Sequence, residues 1–122
     1  MAHYIDGFVV PVPKRKKKAY LSMARKFARV WREYGALEVR ECWADDVKKG
    51  KVTSFPQAVK LKPGEAVVFS WIVFKNRAAR DRINKKVMTD KRLVDMMDPK
   101  KHPFPFDGKR MFWGGFKTIR EA

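Results

Sequence analysis

Residues 65–74, Glu65-Ala66-Val67-Val68-Phe69-Ser70-Trp71-Ile72-Val73-Phe74, decide the fold of this chain. β-branched and aromatic residues dominate the run, which predicts a strand. Side chains alternate along a strand, so Val67, Phe69, Trp71 and Val73 share one face. Ala66, Val68, Ser70, Ile72 and Phe74 share the other. Both faces are apolar. An antiparallel sheet with helices on one side ordinarily turns polar residues to water on the other. A strand apolar on both sides therefore needs two coverings, and helices supply only one of them.

Upstream, Ala36 to Ala44 alternates as a strand, with Leu37, Val39, Glu41 and Trp43 on one face and Glu38, Arg40 and Cys42 on the other. Before it, Tyr20, Met23, Ala24, Phe27, Val30, Trp31 and Tyr34 recur at three- and four-residue steps, which predicts a helix over Lys14 to Tyr34. Gly35 follows as its left-handed stop, and Pro13 suits the helix start. His3 to Val10 reads as the first strand, closed by Pro11 and Pro13. Downstream, Asn76 caps a second helix with Ala79, Ile83 and Val87 on its buried stripe. Asp90 caps a shorter one, and Lys109 to Ile119 forms the last strand. Asp45 to Pro63 is a long connection, with a short turn or edge segment at Phe55 to Val59.

The order is βαββαβ plus one short helix. Right-handed connections turn this order into an α+β, ferredoxin-like subunit: a four-stranded antiparallel sheet with both helices on one face. Residues 1–122 form one domain in this reading. No segment remains to cover the second face of residues 65–74, so the expected cover is another copy of the sheet. A homodimer with two sheets face to face follows.

The 122 residues carry 29 Lys and Arg against 13 Asp and Glu, a formal charge of +16. A 45% hydrophobic content excludes a disordered basic tail. Cys42 is the single cysteine, so no intrachain disulfide forms and a reducing cytoplasm is the expected compartment. No apolar run approaches the ~20 residues of a membrane span, and Met1 to Asp6 lacks the features of a signal peptide. The positive charge concentrates at Lys14 to Lys18 and between Lys75 and Arg92. Arg15, Lys16, Lys17, Lys18, Arg25, Arg29, Arg80 and Lys85 make a candidate polyanion patch on the helix side of the sheet. Such a patch attracts nucleic acid with little sequence preference and steep salt dependence.

Several segments occur together and in order: Tyr4-Ile5-Asp6-Gly7-Phe8-Val9-Val10-Pro11-Val12-Pro13-Lys14, Val30-Trp31-Arg32-Glu33-Tyr34-Gly35-Ala36-Leu37-Glu38 and Trp43-Ala44-Asp45-Asp46-Val47. Gly50-Lys51-Val52-Thr53-Ser54-Phe55-Pro56, Val68-Phe69-Ser70-Trp71-Ile72-Val73 and Phe106-Asp107-Gly108-Lys109-Arg110-Met111 follow, with Gly114-Gly115-Phe116 after them. Through these motifs the chain resembles the YbaA-like bacterial proteins, a family of unknown function in the dimeric α+β barrel group. The resemblance implies a ferredoxin-like subunit and a dimeric α+β barrel. It brings no substrate, cofactor or catalytic residue. The wider barrel group includes cofactor-free monooxygenases, haem-degrading enzymes and small-ligand binders, and fold likeness alone does not choose among them.

The residues narrow the chemistry further. His3, His102 and Cys42 lack the spacing of a zinc site. Ser70 has no Gly-x-Ser-x-Gly surroundings, and no glycine-rich phosphate loop occurs, so neither a metal nor a nucleotide cofactor is expected. Asp6 stands mid-strand in an apolar run and must be paired, exposed at an edge or functional. Arg110 and Arg40 are its candidate partners. The aromatics Trp31, Trp43, Trp71, Trp113, Phe69, Phe112 and Phe116 either fill the core and interface or line a pocket between sheet and helices. Asp6, Trp31, Ser70, Asn84 and Arg110 are the candidate pocket residues. Lys109 to Phe116 is basic and then aromatic, as in RNA-recognition strands, but a sheet face buried in a dimer cannot stack bases. The leading expectation is a small-molecule binder, with a nucleic-acid-associated protein and a cofactor-free oxygenase-like enzyme as alternatives.

Overall fold

The computed structural model of the protein describes residues 2–122. β1 (Tyr4–Pro13) leads through a 3-10 turn at Lys14–Lys16 into α1 (Lys17–Tyr34), followed by β2 (Glu38–Trp43) and the short α2 (Phe55–Ala58). Then come β3 (Glu65–Phe74), α3 (Arg77–Met88), α4 (Lys91–Met96) and β4 (Phe112–Lys117). The architecture is α+β. One four-stranded sheet has the order β2-β3-β1-β4, and every neighbouring pair is antiparallel.

The helix ends follow their local chemistry. Gly35 takes φ 115° and stops α1, its N–H bonding back to the Arg32 carbonyl. The Asn76 side chain accepts from the Ala79 N–H at the head of α3, and Asp90 accepts from the Arg92 N–H at the head of α4. Ser54 does the same for α2, accepting from the Gln57 N–H. That turn was readable only as an undefined segment, because a four-residue helix has too few apolar repeats to show a period.

The end of β1 and the start of β4 differ most from expectation. β1 continues through Pro11 to Pro13, pairing with Val67 and Glu65 of β3. β4 pairs with β1 only as far as Val9, so both prolines fall where β1 is an edge on that side. β4 begins at Phe112 because Asp107 draws the preceding residues into a turn. Its carboxylate accepts from the Lys109 N–H and from Arg110 Nε at 2.9 Å each.

The register places Tyr4, Asp6, Phe8 and Val10 with Phe74, Ile72, Ser70 and Val68 on the face beneath the helices. Val39, Glu41 and Trp43 of β2 join them. Ile72 and Phe74 pack against Val30 and Trp31 of α1, Ile83 and Val87 of α3, and Leu93 of α4. A second cluster joins Val10, Val12 and Val68 to Tyr20 and Ala24.

The opposite face is partly covered by the chain itself, which corrects the expectation that no segment remained for it. Residues between Trp43 and Glu65 fold across one end, burying Val59 with Val9 and Val67. The rest lies open. Phe69 is 43% exposed, Phe112 46% and Phe116 65%. Among the described residues no helix is long and apolar enough to cross a membrane.

Candidate functional site

Between α1 and the helix face of the sheet lies an open cleft of about 200 Å³. Tyr20, Ala24, Phe27 and Trp31 form one wall, because i, i+4, i+7 and i+11 fall on one side of a helix. Phe8, Val10, Val39, Glu41, Ser70 and Ile72 form the floor, all on the same sheet face. Phe106 and Met111, from the segment before β4, close the far side with Met88 and Met97. Among the described residues four methionines, Met23, Met88, Met97 and Met111, line this space. Their flexible thioethers let such a wall adapt to what enters it.

The polar groups gather at one place. Tyr20 donates its hydroxyl proton to Glu41 Oε1 at 2.6 Å. Ser70 lies directly opposite Glu41 in the β2–β3 register. By area Glu41 is an exposed residue. The surrounding protein nevertheless crowds its carboxyl and pushes its pKa up, only partly offset by the Tyr20 hydrogen bond. Burial, together with the adjacent Glu41 charge, pushes the Tyr20 hydroxyl well above the ordinary tyrosine value. The arrangement is an apolar slot with one acidic, hydrogen-bonding end.

The expected pocket residues divide three ways. Trp31 and Ser70 line the cleft. Asn84 and Asp6 stand behind it: the Trp31 indole N–H donates to Asn84 Oδ1 at 2.9 Å, and Asn84 Nδ2 donates to Asp6 Oδ2 at 3.2 Å. Asp6 is 1% exposed, and Arg80 Nε reaches both its oxygens at 3.0 and 3.1 Å. The partner of Asp6 is therefore Arg80 of α3, not Arg110 or Arg40. Arg80 also sits between the rings of Tyr4 and Trp113, 5.2 and 5.6 Å from their centroids. Arg110 lies apart from the cleft, paired with Glu65 at 2.7 Å and with Asp107 at 2.9 Å. Its guanidinium also donates to the Lys60 carbonyl.

The other aromatics go elsewhere. Phe69, Trp71, Phe112 and Phe116 belong to the opposite sheet face, since strand alternation sends them away from the helices. Lys17 covers the Trp43 ring, and Trp113 stacks on Phe8. Of the expected polyanion patch, Arg15, Lys17, Lys18, Arg25, Arg29 and Lys85 are exposed and Lys16 is half-exposed. Arg80 is withdrawn from that surface by Asp6. Among the described residues no three His, Cys, Asp or Glu side chains come together to hold a metal ion.

Glu41 is a site residue that the sequence motifs do not single out. Its alternation with Leu37, Val39 and Trp43 already placed a carboxylate on the apolar face of β2, and that was the available signal. Tyr20 stands out in the sequence only as part of the helix stripe, because a hydroxyl at the end of an apolar ring does not disturb the periodicity.

Known proteins add a family and little chemistry. The chain is 51% identical over 116 residues to the uncharacterized protein YbaA of Escherichia coli (strain K12), covering 95% of this chain and 96% of that one. The same values hold for the uncharacterized protein YbaA of Shigella flexneri. A solved structure, the de novo designed protein Foldit4, aligns over 98% of this chain and 99% of its own with a TM-score of 0.45 and 10% identity. Residues 3–108 match the family model described as "Protein of unknown function (DUF1428)". The chain belongs to that family, the one its ordered motifs resemble.

Proposed function

We propose that this protein binds a small, largely apolar molecule in the cleft between α1 and the sheet. In this reading the subunit is ferredoxin-like, and two subunits pack sheet to sheet as a dimeric α+β barrel. The observation carrying the binding role is the slot itself, about 200 Å³, lined by aromatic and methionine side chains with its polar oxygens at one end. Ligand sites commonly have this composition, apolar walls and a few converging polar groups, at about 300–1,000 Å³ for drug-sized ligands. A slot below that range takes a smaller molecule.

The helix-face polyanion reading has less support, since one cation of that patch, Arg80 of α3, faces Asp6 instead of solvent. An oxygenase-like reading built on Asp6 and Arg110 has none from this site, because neither lines the cleft.

The test is an NMR titration of the ¹⁵N-labelled full chain with 3-phenylpropan-1-ol, a neutral probe of suitable size. Saturable shifts are expected at the Trp31 indole and around Ala24, and Ala24→Phe, which fills the slot, abolishes them. Non-saturable shifts scattered over the surface, or binding unaffected by Ala24→Phe, would overturn the reading.

A further inference from the structure

The cleft is selective in what it leaves out. The chain has 29 Lys and Arg, yet among the described residues no Lys, Arg or His lines this space. The ionisable acid in the wall is Glu41. Two side-chain donors that could have served an anionic ligand are already engaged: the Tyr20 hydroxyl donates to Glu41, and the Trp31 indole N–H donates to Asn84. What remains open is Glu41 Oε2, the lone pairs of Tyr20 and the Ser70 hydroxyl. That end accepts hydrogen bonds and carries negative charge.

We propose, building on the small-molecule reading, that the cleft takes an apolar organic cation: an amine on a compact hydrocarbon or aromatic body, with Glu41 as its counter-ion. The ammonium donates to Glu41 Oε2 and to the Ser70 hydroxyl, which lies opposite it across the strand pair. The hydrocarbon body lies against Phe8, Phe27, Trp31 and the methionines, whose apolar, adaptable side chains pack around it. Glu41 in the cleft is a carboxylate that its surroundings disfavour, since burial raises its pKa. A bound cation relieves that cost, whereas a bound anion would add to it. The protein's formal +16 repels every cation equally and is screened by salt, so it cannot produce a difference that depends on Glu41.

Three probes of one shape test this: 3-phenylpropylamine, 3-phenylpropan-1-ol and 3-phenylpropanoate, titrated by ¹⁵N NMR into the full chain near neutral pH in about 0.3 M salt. The amine is expected to bind about tenfold or more tighter than the alcohol, as a charge-assisted hydrogen bond would give, with the acid weakest. Glu41→Gln keeps an acceptor for Tyr20 and removes the charge. It should bring the amine to within about threefold of the alcohol. Glu41→Met serves the same purpose should the Gln variant not fold. If the alcohol binds and the amine binds no tighter, the cation assignment fails while the pocket stands. An amine preference that survives loss of Glu41 also overturns it. If none of the three binds, or if Ala24→Phe leaves binding intact, the pocket reading fails and this inference with it.

Discussion

Asp6 is the most completely enclosed charge described here, and its neighbours account for each of its contacts. Arg80 holds both carboxylate oxygens, Asn84 adds a third donor, and the rings of Tyr4 and Trp113 flank the guanidinium. Gly115, opposite Asp6 in β4, leaves room for this, since a Cβ there would come within 2.6 Å of Arg80 Nη2. Breaking a buried pair leaves an uncompensated charge, which typically costs about 3–5 kcal/mol. Asp6→Asn should therefore lose stability on that scale in urea denaturation, and replacing both partners together (Asp6→Val with Arg80→Met) should recover much of it. A single-variant loss within about 1 kcal/mol, the range of exposed pairs, would show that the pair does not hold α3 to the sheet. Glu41 behaves in the opposite sense. Its pKa is raised on folding, so the folded state binds more protons than the unfolded one between the two pKa values, and stability falls as pH rises through that window. Glu41→Gln should then raise Tm near neutral pH. The gain should vanish below about pH 4, where the carboxyl is protonated in both states. A variant less stable at neutral pH would contradict this. Asp6 was visible in the sequence as a charge in an apolar strand. Arg80 was not, because strand alternation says nothing about which side of a distant helix faces it.

The segment between α4 and β4 carries Phe106 and Met111, on the far side of the cleft, but has no regular structure of its own. Its anchor is Arg110. That side chain links Asp107 beside it to Glu65 at the start of β3 and to the Lys60 carbonyl beyond α2. One guanidinium fork thus ties its own loop to the stretch from Lys60 to Glu65, 45 to 50 residues earlier in the chain, which a Lys with its single ammonium could not match. Arg110→Lys should leave the sheet and α1 folded while loosening residues 98–111. Faster trypsin cleavage after Lys100 or Lys101, with weaker binding of the phenylpropanol probe, is the expected pair of results. Unchanged cleavage together with unchanged binding would remove Arg110 from this positioning role. The element order, the Gly35 stop and the Asn76 and Asp90 caps were all legible, because each depends on residues close in sequence. The role of Arg110 depends on where two loops meet. Its placement in the candidate pocket came from reading it as part of the last strand, whereas Asp107 turns it away before that strand begins.

At the scale of the molecule, charge and apolar surface are separated. Lysines and arginines crowd the helices, whereas Phe69, Phe112 and Phe116 stand exposed on a sheet face with Gly7 and Gly114 between them. The doubly apolar third strand had already announced this face. What it could not announce was the cover at one end by Val59 and Leu61, because a connection without periodicity gives no sign of where it folds. The proposed dimer would bury the remainder, and its energetics can be separated from simple charge attraction. Two chains of +16 repel, so salt that screens them should strengthen an apolar association, whereas it would weaken one held by ion pairs. Light scattering should give about twice the 14.3 kDa chain mass, with the dimer persisting to lower protein concentration as salt is raised. Phe69→Glu places a charge at the middle of the face and should yield a folded monomer, its far-ultraviolet spectrum unchanged. A wild-type monomer at every salt concentration, or a dimer indifferent to Phe69→Glu, would mean that something other than a second copy covers this face.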